Sequence, residues 1–222
     1  MSHALPVLGL AGPQELLLFM TAVFVLNATP GVDLLLTVSR TLQAGVRAGI
    51  AAALGISAGC VVHAFAAAFG LAALLAVSSA AFAAIKWLGA AYLLWLAWGM
   101  ARTAWRGGEP AADTAAPKAA GAWVDFRTGL VTNVLNPKVA LFFLAFLPQF
   151  IAAAAPDKTA AFLGLGAIFV VQGTAFLLAV VVLTARLRRL PSSPRAARWL
   201  HGVGAVLFAA LALRLASART TV

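Results

Sequence analysis

An all-α, polytopic integral membrane protein of six transmembrane helices, built as two inverted three-helix repeats with broken first and fourth helices, follows from three features of this chain. The first is composition: 63% of the 222 residues are hydrophobic, 10% are charged, and the mean hydropathy is +0.99. A soluble domain holds roughly 45–50% apolar and about 25% charged residues. The second is length, which accommodates six crossings at roughly 20 apolar residues each and leaves no room for a soluble domain of ordinary size. The third is a pair of polar, proline-bearing interruptions, LNATPGVD at 26–33 and TNVLNPK at 132–138, each inside an otherwise apolar run. A lone cysteine, Cys60, excludes an internal disulfide or a thiolate cluster.

Apolar runs at 15–38, 46–68, 71–100, 127–151, 160–185 and 199–216 give the six spans. The first is retained rather than cleaved as a signal, because Met1 to Gln14 holds no Lys or Arg. The second and third are parted by length, since one helix does not cross with about 50 residues. Gly45, Gly49, Gly55 and Gly59 form small-xxx-small pairs, which let helices approach closely in lipid. Between the third and fourth spans, RGGEPAADTAAPKAAG reads as a loop. The chain therefore divides into a first membrane repeat over 1–101, a cytoplasmic loop over 102–126 and a second repeat over 127–222.

Lys and Arg resist translocation, so their placement sets orientation. With the amino terminus outside, the inner connections take Arg40, Arg47, Arg102, Arg106, Lys118, Arg127, Arg186, Arg188, Arg189, Arg195 and Arg198. Only Lys86, Lys158, Arg214 and Arg219 fall outside. Both termini are expected outside, in a bacterial-type inner membrane. The net charge of +10 then reflects loops resting on anionic lipid headgroups, and no nucleic-acid partner is expected.

Three spans on each side of the loop place the second half upside down relative to the first, the geometry of an inverted repeat carrier. The two interruptions then occupy corresponding positions. Proline removes a backbone donor and clashes with the preceding turn. Thr29 before Pro30, and Asn136 before Pro137, each read as an N-cap with proline at the first helical position. Half-helix N-termini near the midplane attract a carboxylate. Asp33 and Lys138 lie where an ionisable group costs at least about 2.5–3.5 kcal/mol on insertion scales. Asp33 is expected to hold a substrate ammonium, carry a proton, or pair with Lys138; Lys138 is its partner or a substrate-carboxylate contact. Asn27, Thr29, Gly31, Asn133 and Asn136 supply polar lining.

The runs NATPGVDLLLTVSRTLQAGVRAGIAAALGISAG, IKWLGAAYLLWLAWGMAR and FRTGLVTNVLNPKVALFFLAFLPQF together resemble the LysE family of amino-acid exporters, closely over about 16–150. The resemblance implies a small secondary carrier that exports amino acids or related metabolites, driven by the proton motive force. The family's Pro-Gly signature corresponds to Pro30 and Gly31, its acid to Asp33, and its Asn-Pro-Lys element to Asn136, Pro137 and Lys138. Its Lys-x-x-Gly-Ala-x-Tyr-Leu signature corresponds to Lys86, Gly89, Ala90, Tyr92 and Leu93. Val32 stands where relatives often carry a second proline.

The same residues admit rival chemistries. Gly55 to Gly59 spells G-x-S-x-G, the serine-hydrolase pattern, but its nucleophile elbow needs a strand. An intramembrane serine protease using Ser57 would need His63 or His201. His63 points about 240° around the helix from Ser57 at 100° per residue, and His201 lies at another depth. A metal-ion exporter would draw on Cys60, His63 and Asp33, a sparse set. His63 is a packed polar residue or a relay member. The four phenylalanines Phe142, Phe143, Phe146 and Phe150 are lipid-facing or core residues before they are a gate. No enzyme activity, cofactor or metal is expected. The partners expected are an amino-acid substrate, the lipid bilayer and, in one assembly, a second copy as a homodimer.

Overall fold

The computed structural model describes residues 12–71, 79–106, 121–152 and 155–187, together with 202, 205, 206, 209, 210, 212 and 213. Among the described residues seven α-helices are delimited: α1 (Pro13–Ala28), α2 (Val32–Ala44), α3 (Val46–Phe65), α4 (Ser79–Arg106), α5 (Ala122–Val134), α6 (Pro137–Leu141) and α7 (Lys158–Leu187). No strand occurs among the described residues. α3 continues as a π-turn over Ala66–Leu71, and α6 as a π-turn over Phe142–Phe146 and a 3₁₀ turn over Leu147–Phe150.

Among the described residues two helical stretches, Val46–Gly70 and Lys158–Arg186, are long and apolar enough to cross a membrane. Two more qualify as bent pairs: α1 with α2, bent by 54°, and α5 with its continuation to Phe150, bent by 49°. The bends fall at the two proline-bearing interruptions. α4 begins at Ser79 and runs to Arg106, past the span end expected at 100, while α5 begins at Ala122. The segment 72–78 and most of the loop and sixth span lie outside the described residues; those of the sixth span that are described are helical.

Glycine sets how the elements meet. A Cβ on Gly55 would overlap the Phe126 carbonyl of α5, and one on Gly129 the Ala52 carbonyl of α3. A Cβ on Gly49 would overlap the Thr41 hydroxyl of α2. Removing those Cβ atoms lets α3 lie against α5 backbone to backbone, the small-residue packing that lipid favours. Gly45 does something else: its φ of 87° ends α2 and starts α3, a left-handed conformation that glycine adopts without steric penalty. It turns the chain instead of packing a helix, because no atom lies within 4 Å of its added Cβ.

The phenylalanines after the second break are core. Phe142, Phe143, Phe146 and Phe150 are all buried. Phe19 of α1 meets Phe150 edge-on at 5.1 Å, and Phe169 of α7 meets Phe143 at 4.8 Å, within the range of favourable ring pairs. They seat the second broken span between α1 and α7. The opposite situation holds on α4, where Trp87, Leu94, Trp98 and Trp105 are exposed. Their spacing returns them to within about 40° of one another at 100° per residue, a stripe suited to lipid and its interfaces.

Candidate functional site

The two breaks meet. α2 and α5 run antiparallel, Asp33 facing Asn133 and Asn136 while Arg40 faces Asp125. Asp33 Oδ2 accepts hydrogen bonds from Asn133 Nδ2 and Asn136 Nδ2, each at 2.9 Å. Since a carboxylate only accepts, both amides must present nitrogen. Asn133 Oδ1 is thereby turned away, and it and Asp33 Oδ1 are buried with no hydrogen-bond partner among the described residues. Unsatisfied buried acceptors are costly, so a donor entering here is favoured.

Local sequence explains each placement. Asn136 is the N-cap of α6: its Oδ1 accepts from the Lys138 N–H at 3.0 Å, with Pro137 at the first helical position. The corresponding expectation for the first break needs correction. α2 starts at Val32 with Gly31 as N-cap and no side-chain cap. Thr29 instead closes α1, its hydroxyl donating to the Val25 carbonyl at 2.7 Å, the back-bonding typical of threonine within helices. Pro30 lies between the two helices. Asp33 sits in the first turn of α2, where a helix N-terminus favours negative charge.

Lys138 crosses the other way. Its buried ammonium donates to the Leu26 carbonyl at 3.1 Å and the Thr29 carbonyl at 3.3 Å. It therefore caps the carboxyl end of α1, where a cation complements the helix dipole. Gly31 makes room, because a Cβ there would sit 2.8 Å from Lys138 Nζ. The ion pair found within 4 Å among the described residues is Arg40 with Asp125, so Asp33 and Lys138 are not joined directly. Asn27 turns to its own helix, donating to the Val23 carbonyl.

A cavity opens beside this crossing, with ≈ 20 Å³ accessible to the centre of a water molecule, about one or two such spheres. Asn27, Asp33 and Lys138 border it; Thr29, Pro30, Gly31, Asn133, Asn136 and Pro137 do not. Those six shape the breaks and orient Asp33 and Lys138. His63 Nε2 lies 3.1 Å from the Asn133 carbonyl, and its ring stacks on Phe143, so it packs beside the second break.

Two features escaped the sequence reading. Arg40, assigned there to an inner loop, is 4% exposed in α2 and paired with Asp125 of α5, itself 2% exposed. The signal was opposite charge at matched offsets: Arg40 is seven residues after Asp33, and Asp125 eight before Asn133. Thr174 of α7 lines the cavity and bonds Ser57; its sign was the polar Gln172-Gly173-Thr174 step inside an apolar run. The Lys86 signature lies on α4, where Ala90 is buried and the other four side chains are outside the described residues.

The enzyme and metal alternatives find no support in this geometry. Ser57 donates to the Ala53 carbonyl and receives Thr174, while His63 turns to Asn133. Among the described residues no group of three His, Cys, Asp or Glu comes together that could hold a metal ion.

Comparison with known proteins agrees with the membrane architecture. The profile described as LysE type translocator matches residues 24–219. An uncharacterized membrane protein of Vibrio cholerae is 30% identical over 91% of this chain and 97% of its own length. A homoserine/homoserine lactone efflux protein of Salmonella typhimurium is 30% identical over 87% of this chain and 92% of its own. A leucine efflux protein of an Enterobacter species is 29% identical over 90% and 93%. No solved structure gives a significant match.

Proposed function

The chain belongs to the LysE type translocator family, and from that premise we propose that it is a secondary carrier exporting amino acids or closely related metabolites across a bacterial inner membrane. The observation that carries this reading is the Asp33 carboxylate. It borders the cavity, is fixed by two amides through Oδ2, and has Oδ1 unfilled among the described residues. The relatives' names give homoserine, its lactone and leucine. A lactone has no free carboxylate and leucine no side-chain hydroxyl, so the group these three share is the amine on the α-carbon. An acid is the complement such a group needs, while Lys138, already engaged with two carbonyls, shapes the break.

Alternating access follows from the repeat reading: two inverted three-helix halves, 1–101 and 127–222, joined by the loop 102–126, rock about the crossing of their broken helices. The antiparallel course of α2 and α5 supports it. With both termini outside, the Arg40–Asp125 pair lies on the cytoplasmic side of Asp33. Exchange with a proton is accounted for if Asp33 binds either the proton or the substrate ammonium but not both. Ser57 carries no catalytic role, and the protein works in the bilayer with an amino acid as its partner, alone or as a homodimer.

The test is efflux of labelled homoserine and leucine from proteoliposomes, with and without a proton gradient. Asp33→Asn should abolish gradient-driven efflux of both while the protein still reaches the membrane. Undiminished efflux with an unchanged pH profile would remove Asp33 from the mechanism; no movement of any amino acid by the wild type would end the exporter reading.

A further inference from the structure

The cavity beside the charged crossing is also walled by α3 and α7. There α3 and α7 contribute Ile56, Val170 and Leu177, and among these apolar walls two hydroxyls, Ser57 and Thr174. Their oxygens are 2.7 Å apart. Ser57 also reaches the Ala53 carbonyl at 2.9 Å, and Thr174 the Val170 carbonyl at 2.7 Å. A hydroxyl has one proton and two lone pairs, so two protons serve three contacts. Whichever way the protons lie, the pair has more acceptors than donors.

A ligand group placed here is best received if it donates a hydrogen bond. A carboxylate would meet oxygen lone pairs. A second ammonium would be buried without a counter-charge of its own, because the charged residues lining the cavity are Asp33, which the α-ammonium occupies, and the cation Lys138, and an unpaired buried ion is strongly disfavoured. An aliphatic group would leave the spare lone pairs of the hydroxyl pair without a donor. What remains is a neutral donor on a short chain.

We propose that Ser57 and Thr174 read the substrate's side chain and select a small neutral amino acid bearing a hydrogen-bond donor, an alcohol or a carboxamide, over an apolar one of equal size. This rests on the reading that Asp33 holds the α-ammonium, which aims the side chain at the α3–α7 wall. Sites built to bond a substrate hydroxyl reject the analogue lacking it, whereas apolar pockets discriminate weakly.

Homoserine and norvaline differ by a hydroxyl in place of a methyl group and form the probe pair. In proteoliposomes the wild type should export homoserine faster than norvaline, and unlabelled homoserine should compete better than norvaline for the same site. Ser57→Ala and Thr174→Val should each lower the homoserine-to-norvaline ratio by about tenfold, and Ser57→Thr, which keeps the hydroxyl, should restore it. A parallel fall for both substrates would make the pair a helix–helix contact and overturn the proposal. So would a wild type that carries norvaline as fast as homoserine, an outcome that leaves amino-acid export standing. A wild type that moves no amino acid overturns the exporter reading and this one with it. Should neither variant reach the membrane, the competition experiment on the wild type decides alone.

Discussion

α2 and α5 are tied twice, at levels roughly 10 Å apart if the seven residues from Asp33 to Arg40 rise 1.5 Å each. The two ties are chemically unlike. Arg40 and Asp125 form an ion pair, 4% and 3% exposed at their side chains. Asp33 is held by two neutral amides through a single oxygen, and buried acceptors on both Asp33 and Asn133 are left without partners among the described residues. One joint matches charge with charge; the other holds an acid in place while reserving part of it. On the proposed function, the difference separates what fastens α2 to α5 from what receives a ligand.

Removing one partner from the fastening joint should have the largest effect. Asp125→Ala leaves the Arg40 cation buried without its carboxylate, a change that costs about 3–5 kcal/mol for buried pairs. Thermal unfolding in detergent should show a marked drop and the membrane should hold less folded protein. Replacing both, Arg40→Leu with Asp125→Leu, should recover most of the loss, because well-packed apolar groups of similar volume often substitute for a buried pair. A single mutant as stable as wild type would erase the contrast between the two ties.

Lys138→Met sharpens the contrast from the other side. Methionine keeps much of the length but withdraws the donor from the Leu26 and Thr29 carbonyls. Each hydrogen bond to a charged group is worth about 1.5–3 kcal/mol, but methionine also removes the cost of burying a cation, so destabilisation should be smaller than for Asp125→Ala, which leaves a charge buried. Efflux should fall as well, since the break in the first span loses its cap and the cavity one of its walls. A variant with normal efflux and lowered stability would confine Lys138 to a structural part.

What the sequence discloses, and what it hides, divides along the same line. The breaks were legible because proline, glycine and asparagine act on their own backbone within a few residues: Asn136 caps α6 as its spacing with Pro137 implies. Asp33 was legible because charge inside an apolar run stands out. Partners were not. Lys138 reaches carbonyls about 110 residues earlier, and nothing in either segment encodes that its contact is backbone and not Asp33. Asp125 and Arg40 looked like ordinary loop charges because each lies at the edge of an apolar run. Their burial depends on α3 bringing α2 and α5 together through Gly49, Gly55 and Gly129, a tertiary effect.

The smallest change probes the receiving joint alone. Gly59 faces Asn133, and a Cβ there would lie 2.6 Å from Asn133 Oδ1 and 2.7 Å from its Cβ, closer than such atoms tolerate. The Oδ1 clash is relieved if the amide swings away, which withdraws Nδ2 from Asp33, but Asn133 Cβ is fixed to the α5 backbone, so α3 and α5 must also separate slightly. Asn136 still holds the carboxylate, and Arg40–Asp125 lies about two helical turns away. Gly59→Ala should therefore cost one hydrogen bond, about 1 kcal/mol, and about 1 kcal/mol of overpacking strain. That leaves it less stable than Gly99→Ala, whose Cβ on α4 meets open space, and more stable than Asp125→Ala. In efflux the lost hydrogen bond should appear as roughly fivefold weaker substrate affinity, the equivalent of about 1 kcal/mol. Equal losses of stability and affinity in Gly59→Ala and Asp125→Ala would mean that the two ties share one role; a loss of affinity with the smaller loss of stability in Gly59→Ala keeps them apart.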